Sequence, residues 1–179
     1  MVRAGAIQRR WYGIFDAADL GKQPVGITRL SEPLVLWRDG EGQVQAALDR
    51  CPHKGAKLSA GQVAGGSLTC PYHGFRFAGD GRCTEVPVHP DARIPRAMCL
   101  DVRTVCEAHG VIWLWSGPGA PEGAPSWFDA LPWPDTSAAS AALEYPVHYS
   151  RIVESNFDVY HFPFIHRSID PGVGAHRGA

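Results

Sequence analysis

The sequence predicts a mainly β protein that ends in a shorter segment of mixed α and β character. Short apolar runs separated by glycine and proline fill residues 1–117, a pattern typical of an antiparallel sandwich or small barrel. Residues 118–141 are dense in proline and glycine and predict a linker. Residues 142–179 include a stretch that lacks glycine and proline and allows a helix. We therefore expect a β domain, a linker and the beginning of a second domain.

The strands of the β domain are predicted in order along the chain. GITRLSEPLVLWRDG (26–40) contains two short runs of branched residues, and VQAALD (44–49) follows two glycines. FRFAGDGRCTEVP (75–87) carries Asp80-Gly81 between extended runs, which is a hairpin signal. VIWLW (111–115) is a continuous apolar run of strand length.

The C-terminal segment begins with one predicted strand and one predicted helix. LEYPVHY (143–149) alternates in the manner of a strand, and RIVESNFDVYHF (151–162) allows a helix of about three turns. The final DPGVGAHRGA is too rich in glycine to predict order.

Composition excludes several classes of function. The 179 residues carry a formal net charge of −1, so no basic surface for nucleic acid or an anionic membrane is expected. We find neither a secretory signal nor an apolar run long enough to cross a membrane. Five cysteines, an odd number in a chain of this length, argue against a disulfide framework. We therefore expect a cytoplasmic location.

Two short motifs carry the strongest chemical signal. CPHKG (51–55) and CPYHG (70–74) read C-x-H, sixteen residues, C-x-x-H. Together they offer two thiolates, Cys51 and Cys70, and two imidazoles, His53 and His73. A structural zinc site uses the same four ligands, but zinc motifs favour Cys-Cys and His-His pairs rather than mixed boxes. One Cys and one His in each box allow the ligands to be sorted between two metal ions.

These boxes closely resemble those of Rieske iron–sulfur proteins, in which two His replace two Cys on one iron of a [2Fe–2S] cluster. The resemblance implies one cluster per chain, bound by Cys51, His53, Cys70 and His73, on a Rieske-type antiparallel β-sandwich with a cluster-binding subdomain. Respiratory members of the family carry a disulfide between the boxes, but Ala56 and Tyr72 occupy the matching positions here. The chain is therefore most similar to the soluble ferredoxins and oxygenases of the family.

A second motif, ESNFDVYHFPFIH (154–166), separates those two branches. On one helix, Glu154, Asp158 and His161 would share a face, whereas His161 and His166 would point about 140° apart. Pro163 is expected to break the helix and return His166 to the side of His161. Two histidines with open neighbouring positions suit non-haem Fe(II), whose usual ligands are two His and one carboxylate.

Beside the Rieske boxes, this motif resembles the mononuclear-iron motif of Rieske non-haem iron oxygenase α-subunits. The resemblance implies that His161 and His166 bind iron. It also implies that Asp158 bridges His161 and His73 of the partner subunit, and that residues 142–179 begin an α+β catalytic domain. The family takes its third iron ligand from far downstream, so we expect the iron site to be incomplete and the chain to be truncated or split.

The activity implied by the resemblance is O2-dependent hydroxylation or demethylation of a small organic substrate. A ferredoxin or flavin reductase would reduce the cluster, and the electron would pass through His73, Asp158 and His161 to the mononuclear iron. The full-length protein would be a homotrimer. The alternative is a Rieske ferredoxin-like electron carrier without oxygenase activity of its own. In either case we expect the 179-residue chain to bind two irons and two sulfides without oxygenase turnover.

Overall fold

The computed structural model describes residues 8–91, 93–126, 143 and 145–166. The chain divides into two compact units, Met1–Ser140 and Ala141–Ala179. Most of the predicted linker and residues 167–179 lie outside the described residues. Across the part of the chain that is described, no helix is both long and apolar enough to span a membrane.

The first unit is built from short antiparallel strands, as the sequence predicts. They form three sheets, with strand orders β1-β11-β10, β2-β3-β4-β9 and β5-β6-β7-β8. The described strands are Arg10–Asp16 (β1), Val25–Arg29 (β2), Glu32–Arg38 (β3), Val44–Leu48 (β4), Gln62–Ala64 (β5), Ser67–Thr69 (β6), Arg76–Phe77 (β7), Cys83–Glu85 (β8), Val102–Arg103 (β9), Val105–Ala108 (β10) and Val111–Ser116 (β11). The mainly β prediction is confirmed.

The strand β3 lies between two hydrophobic cores. Leu34 and Leu36 pack into one core with residues of β1 and β11, whereas Val35 and Trp37 pack into the other. All four side chains are fully buried. Because successive side chains of a strand point to opposite faces, a strand buried on both faces needs an uninterrupted apolar run. The sequence LVLW meets that need and explains why the run predicts this strand.

The sheet β5-β6-β7-β8 is a small subdomain that packs on the second core. The predicted Asp80-Gly81 turn joins β7 to β8, with Gly81 at φ +83°. At the turn between β5 and β6, at the same end of this sheet, Gly66 (φ +75°) lies so close to Gly40 that a Cβ atom would overlap its backbone nitrogen. Only glycine permits that approach of two turns.

The second unit differs from its prediction at its start. None of the described residues in 143–148 forms a strand, so the strand predicted over LEYPVHY is wrong. Pro146 has no N–H to donate to a sheet, and a bond from Val147 N to Tyr145 O (2.8 Å) closes a tight turn around it. The helix α1 spans Tyr149–Phe157, with His148 as its N-cap.

The end of α1 also differs from the prediction, because the helix stops at Phe157. Asp158 has extended backbone angles (φ −81°, ψ 96°), and its carboxylate accepts a hydrogen bond from Tyr160 N at 2.9 Å. This local hydrogen bond gives the Tyr160 N–H a side-chain acceptor in place of the backbone carbonyl that a continued helix would supply. Glu154, Asp158 and His161 therefore do not share one helical face. Pro163 does not break α1 but lies in the first turn of a second short helix, Phe162–Ile165 (α2), where proline is well tolerated.

Candidate metal centres

Two loops of the first unit, which we call the first ligand loop (51–56) and the second ligand loop (70–75), share one hydrogen-bonding frame. In each loop, the backbone N–H of the cysteine donates to the carbonyl of the residue five positions later. The backbone N–H of the glycine, which is four positions after the cysteine, donates to the carbonyl of the cysteine. The bonds are Cys51 N to Ala56 O (2.8 Å), Gly55 N to Cys51 O (2.9 Å), Cys70 N to Phe75 O (2.8 Å) and Gly74 N to Cys70 O (3.0 Å). The two boxes are therefore equivalent in backbone structure although their histidines differ in spacing.

The glycine of each loop has the left-handed conformation that closes this frame. Gly55 has φ +74° and Gly74 has φ +72°. L-residues with a side chain rarely adopt such angles, and a Cβ at Gly74 would also press on Pro87 Cγ at 3.2 Å. The glycine in each box is thus required by the backbone of its loop.

The two cysteines lie together at the edge of the second core. Each is 2% exposed, and their side chains are hydrogen-bonding neighbours. Burial, together with the adjacent Cys70, raises the pKa of Cys51 to about 11. A thiol in this environment stays protonated until a metal ion supplies the positive charge that stabilises the thiolate. The raised pKa argues against Cys51 as a free nucleophile, and the two adjacent thiols are candidate ligands of one metal ion.

His53 of the first loop and His73 of the second loop lie beside each other and differ in exposure. The ring centroids of His53 and His73 are 4.8 Å apart. His53 is exposed and stacks flat on Phe75, at 4.8 Å and 5° between planes. His73 is half-buried, with the ring of Tyr72 only 3.8 Å from its own. Desolvation and the charges of His73 and Lys54 lower the pKa of His53, which favours the neutral imidazole that binds metals.

These four side chains form a thiol pair and an imidazole pair. Throughout the described part of the chain, no three His, Cys, Asp or Glu side chains gather around the position of a single ion. A Cys2His2 zinc site would bring all four ligands to one ion, whereas a [2Fe–2S] cluster takes the thiolates on one iron and the imidazoles on the other. The thiol pair and the imidazole pair match the two irons of such a cluster, one pair to each iron.

Sequence reasoning missed the aromatic support of the histidines. Phe75 in the second loop is equivalent to Ala56 in the first, since each follows the glycine and accepts from the cysteine N–H. The ring of Phe75 stacks on His53 of the first loop. Tyr72, noted only as a replacement for a cysteine, covers His73 and is 65% exposed. The sequence does carry a signal for this support, because aromatic residues occur in and directly after the second box and not the first.

In the second unit, the structure brings together the three residues that the second motif singles out. The carboxylate Oδ2 of Asp158 lies 3.6 Å from Nδ1 of His161. The rings of His161 and His166 are edge-to-face with centroids 5.2 Å apart, although α1 does not extend to either residue. Glu154 instead pairs with Arg151 at 2.6 Å.

The histidine pair fits only part of a mononuclear iron site. Two neighbouring imidazoles match two of the three protein ligands of a two-His, one-carboxylate set. In residues 145–166 no third ligand joins them around one ion, because the carboxylate of Asp158 contacts His161 and the Tyr160 N–H. Within the described residues, the pair therefore lacks the carboxylate that would complete such a set.

The fold and the two loops together define a class of protein. Residues 10–97 match the family model of the Rieske [2Fe–2S] domain. The chain therefore carries a Rieske [2Fe–2S] domain, and both the resemblance and the fold class predicted from the sequence are confirmed.

Particular relatives extend the match beyond that domain. The chain is 37% identical over 89% of its length to the chloroplastic protein TIC 55 of Arabidopsis thaliana, covering 30% of that protein. It is 33% identical over 90% of its length to the oxygenase component of dicamba O-demethylase from Stenotrophomonas maltophilia, covering 48% of it. The crystal structure of dicamba monooxygenase bound to dicamba superposes with a TM-score of 0.82 at 33% identity, over 89% of this chain and 48% of that one. The chain thus spans less than half the length of each of these relatives.

Proposed function

We propose that this chain is the electron-receiving part of a Rieske non-haem iron oxygenase. The observation that carries the proposal is the pair of equivalent loops, which bury two thiols together and present two imidazoles beside each other. In this proposal Cys51 and Cys70 bind one iron of the cluster, and His53 and His73 bind the other. When bound, the cluster supplies reversible one-electron chemistry.

The protein's own contribution is to hold and insulate that group. The closed frame fixes the backbone of the two loops that carry the four ligand residues, and the buried thiols belong to an apolar core. Phe75 and Tyr72 pack on the two imidazoles and restrict their rotation. Contacts of this kind, outside the ligands themselves, orient a metal site and tune its potential.

The second unit extends the proposal to oxygen chemistry. We assign His161 and His166 as two iron ligands, and Asp158 as the carboxylate that joins His161 to His73 of the partner subunit in a homotrimer. The contact of 3.6 Å between Asp158 and His161 supports one half of that bridge. The full protein would act with a ferredoxin or flavin reductase on a small organic substrate and O2, in the cytoplasm. Relatives named as a demethylase and a monooxygenase support hydroxylation or demethylation as the reaction.

Metal analysis and a visible spectrum test the first part of the proposal. The purified chain is expected to contain two irons and two acid-labile sulfides, and to show thiolate-to-iron absorption that dithionite bleaches. A colourless protein that contains zinc would contradict it. Cys70→Ser should abolish the absorption, whereas Cys106→Ser, outside both ligand loops, should leave it unchanged.

A second candidate function is electron carriage without oxygenase activity. The four candidate cluster ligands all lie in the first unit, so electron uptake would need no residue of the second. Oxygen uptake in the presence of a reductase separates the candidates. A stoichiometric third iron with substrate-dependent oxygen consumption by this chain would exclude the carrier, and its absence together with reversible reduction would support it.

A further inference from the structure

The two ligand loops share a backbone frame but differ in charge. The first loop and its flanks carry Arg50, Lys54 and Lys57, all exposed, whereas the second loop and its flanks carry one charged residue, Arg76, which pairs with Glu85 at 3.1 Å. Between Arg50 and Gly79 the chain contains no Asp or Glu, although its overall net charge is −1. The positive charge is therefore concentrated on one side of the cluster site.

The cations of the first loop are not neutralised by neighbouring carboxylates. Among the described residues, no Asp or Glu forms an ion pair with Arg50, Lys54 or Lys57. Asp101, the acidic residue that lines the adjacent cleft, is engaged by Arg103 at 2.5 Å. The loop therefore presents a positive potential to solvent.

This basic side is also the open side of the site. A cleft of about 460 Å³ is lined by Arg50, Pro52, His53 and Lys54, and Cys51 also lines it. His53 is exposed there, whereas Tyr72 covers His73 on the other loop. An approaching molecule thus reaches a ligand imidazole without moving any side chain of the second loop.

We infer that the first ligand loop is the docking surface for an acidic electron-donor protein, which meets this chain at the exposed edge of His53. The inference rests on the proposed function and names the kind of partner that serves it. The donor would be oxidised by one electron, and a cluster held by Cys51, His53, Cys70 and His73 would be reduced by it, with no bond made or broken. A basic rim around an exposed apolar residue, Pro52, is the arrangement in which complementary charge steers an encounter.

The test uses the complete chain and an acidic plant-type [2Fe–2S] ferredoxin as the probe. The double variant Lys54→Glu/Lys57→Glu should lower ferredoxin affinity at low salt by about tenfold, because attraction is replaced by repulsion. The difference should shrink as ionic strength rises and screens the charges. Lys22→Glu, an equally exposed lysine remote in sequence from both loops, is the matched control and should bind as the parent does.

A second measurement separates docking from the chemistry of the cluster. Because Lys54 lies beside His53, the reduction potential is measured for the parent and the double variant. Reduction by photoreduced deazariboflavin, a small neutral donor that needs no docking surface, should change only as that potential does. Equal ferredoxin affinity in parent and double variant would overturn the inference, as would an equal loss in Lys22→Glu. Loss of self-association with unchanged ferredoxin affinity would assign the surface to a second copy of the chain and overturn it too. Failure to assemble any cluster would instead contradict the proposed function, and the inference with it.

Discussion

His73 is the residue whose replacement reports most directly on the candidate cluster. His73→Cys should retain a cluster but lower its reduction potential by about 100 mV or more, because a thiolate adds negative charge where a neutral imidazole was. A potentiometric titration followed by visible absorption measures the change. His89→Cys, in an exposed loop, is the control. An unmoved potential in the His73 variant would remove it from the ligand set.

Asp158 can be altered without changing its shape. Asp158→Asn keeps an oxygen that accepts from Tyr160 N but removes the charge beside His161. In the full-length, assembled enzyme this variant should keep the Rieske spectrum and lose electron transfer to the iron site. Single-turnover kinetics provides the measurement, and Glu154→Gln, four residues earlier, is the control. Unchanged turnover in the Asn variant would refute the bridging role.

The candidate ligands of the loops could be proposed from the sequence because metal chemistry restricts ligands to few residue types at short spacings. Cys51, His53, Cys70 and His73 stand in two local boxes, and the structure brings them together as two pairs. The contacts that orient them were not predictable in the same way. Phe75 supports a histidine 22 residues earlier in the chain, and such a contact depends on how the loops pack rather than on local sequence.

At the scale of elements, the contact between the β5–β6 turn and the β3–β4 turn is open to a direct stability test. Gly66→Ala adds a Cβ atom that overlaps Gly40 and also requires a left-handed conformation. We expect the free energy of unfolding to fall by about 3 kcal/mol or more, the sum of backbone strain and overpacking. Urea denaturation measures it.

The matched control for that change is Gly110→Ala, in the turn between β10 and β11. Gly110 has nearly the same φ, +74°, but a Cβ there meets no atom within 4 Å. Gly110→Ala should therefore lower the free energy of unfolding through backbone strain alone, by about 1 kcal/mol. If both variants lose the same free energy of unfolding, the close approach of Gly66 to Gly40 adds no destabilisation beyond backbone strain.

The strand β3, which buries both of its faces, was easier to predict than the predicted strand over 143–149 or the end of α1. Val35 and its neighbours are apolar whichever face they occupy, and the run has the length of a strand rather than of a helix. LEYPVHY alternates as a strand does, but alternation cannot supply the backbone partner that a strand needs, and Pro146 removes a donor. The end of α1 escaped prediction because a single side-chain hydrogen bond, from Tyr160 N to Asp158, ends it.

At the scale of the whole molecule, the cluster is expected to stabilise the two cores unequally. Cys51 and Cys70 belong to the core shared with β6 and β7, whereas the core beneath β1 and β11 contains no candidate ligand. Removing the metal should therefore lower protection against hydrogen exchange in β5–β8, by about 3 kcal/mol in local opening free energy. Protection in β1 and β11 should change little. Equal loss across both regions would mean that the metal supports the whole unit.

The hydrogen-bonding frame common to the two ligand loops has a consequence for protein engineering. Its four bonds join backbone atoms of the cysteine, the glycine and the residue after the glycine, so the three residues between cysteine and glycine contribute no bond to it. Those three positions form an interchangeable cassette, PHK in one loop and PYH in the other. Exchanging or duplicating the cassettes would move an imidazole by one residue while the thiol stays in place. The fold thereby offers a ready scaffold for building metal centres with chosen ligand spacing.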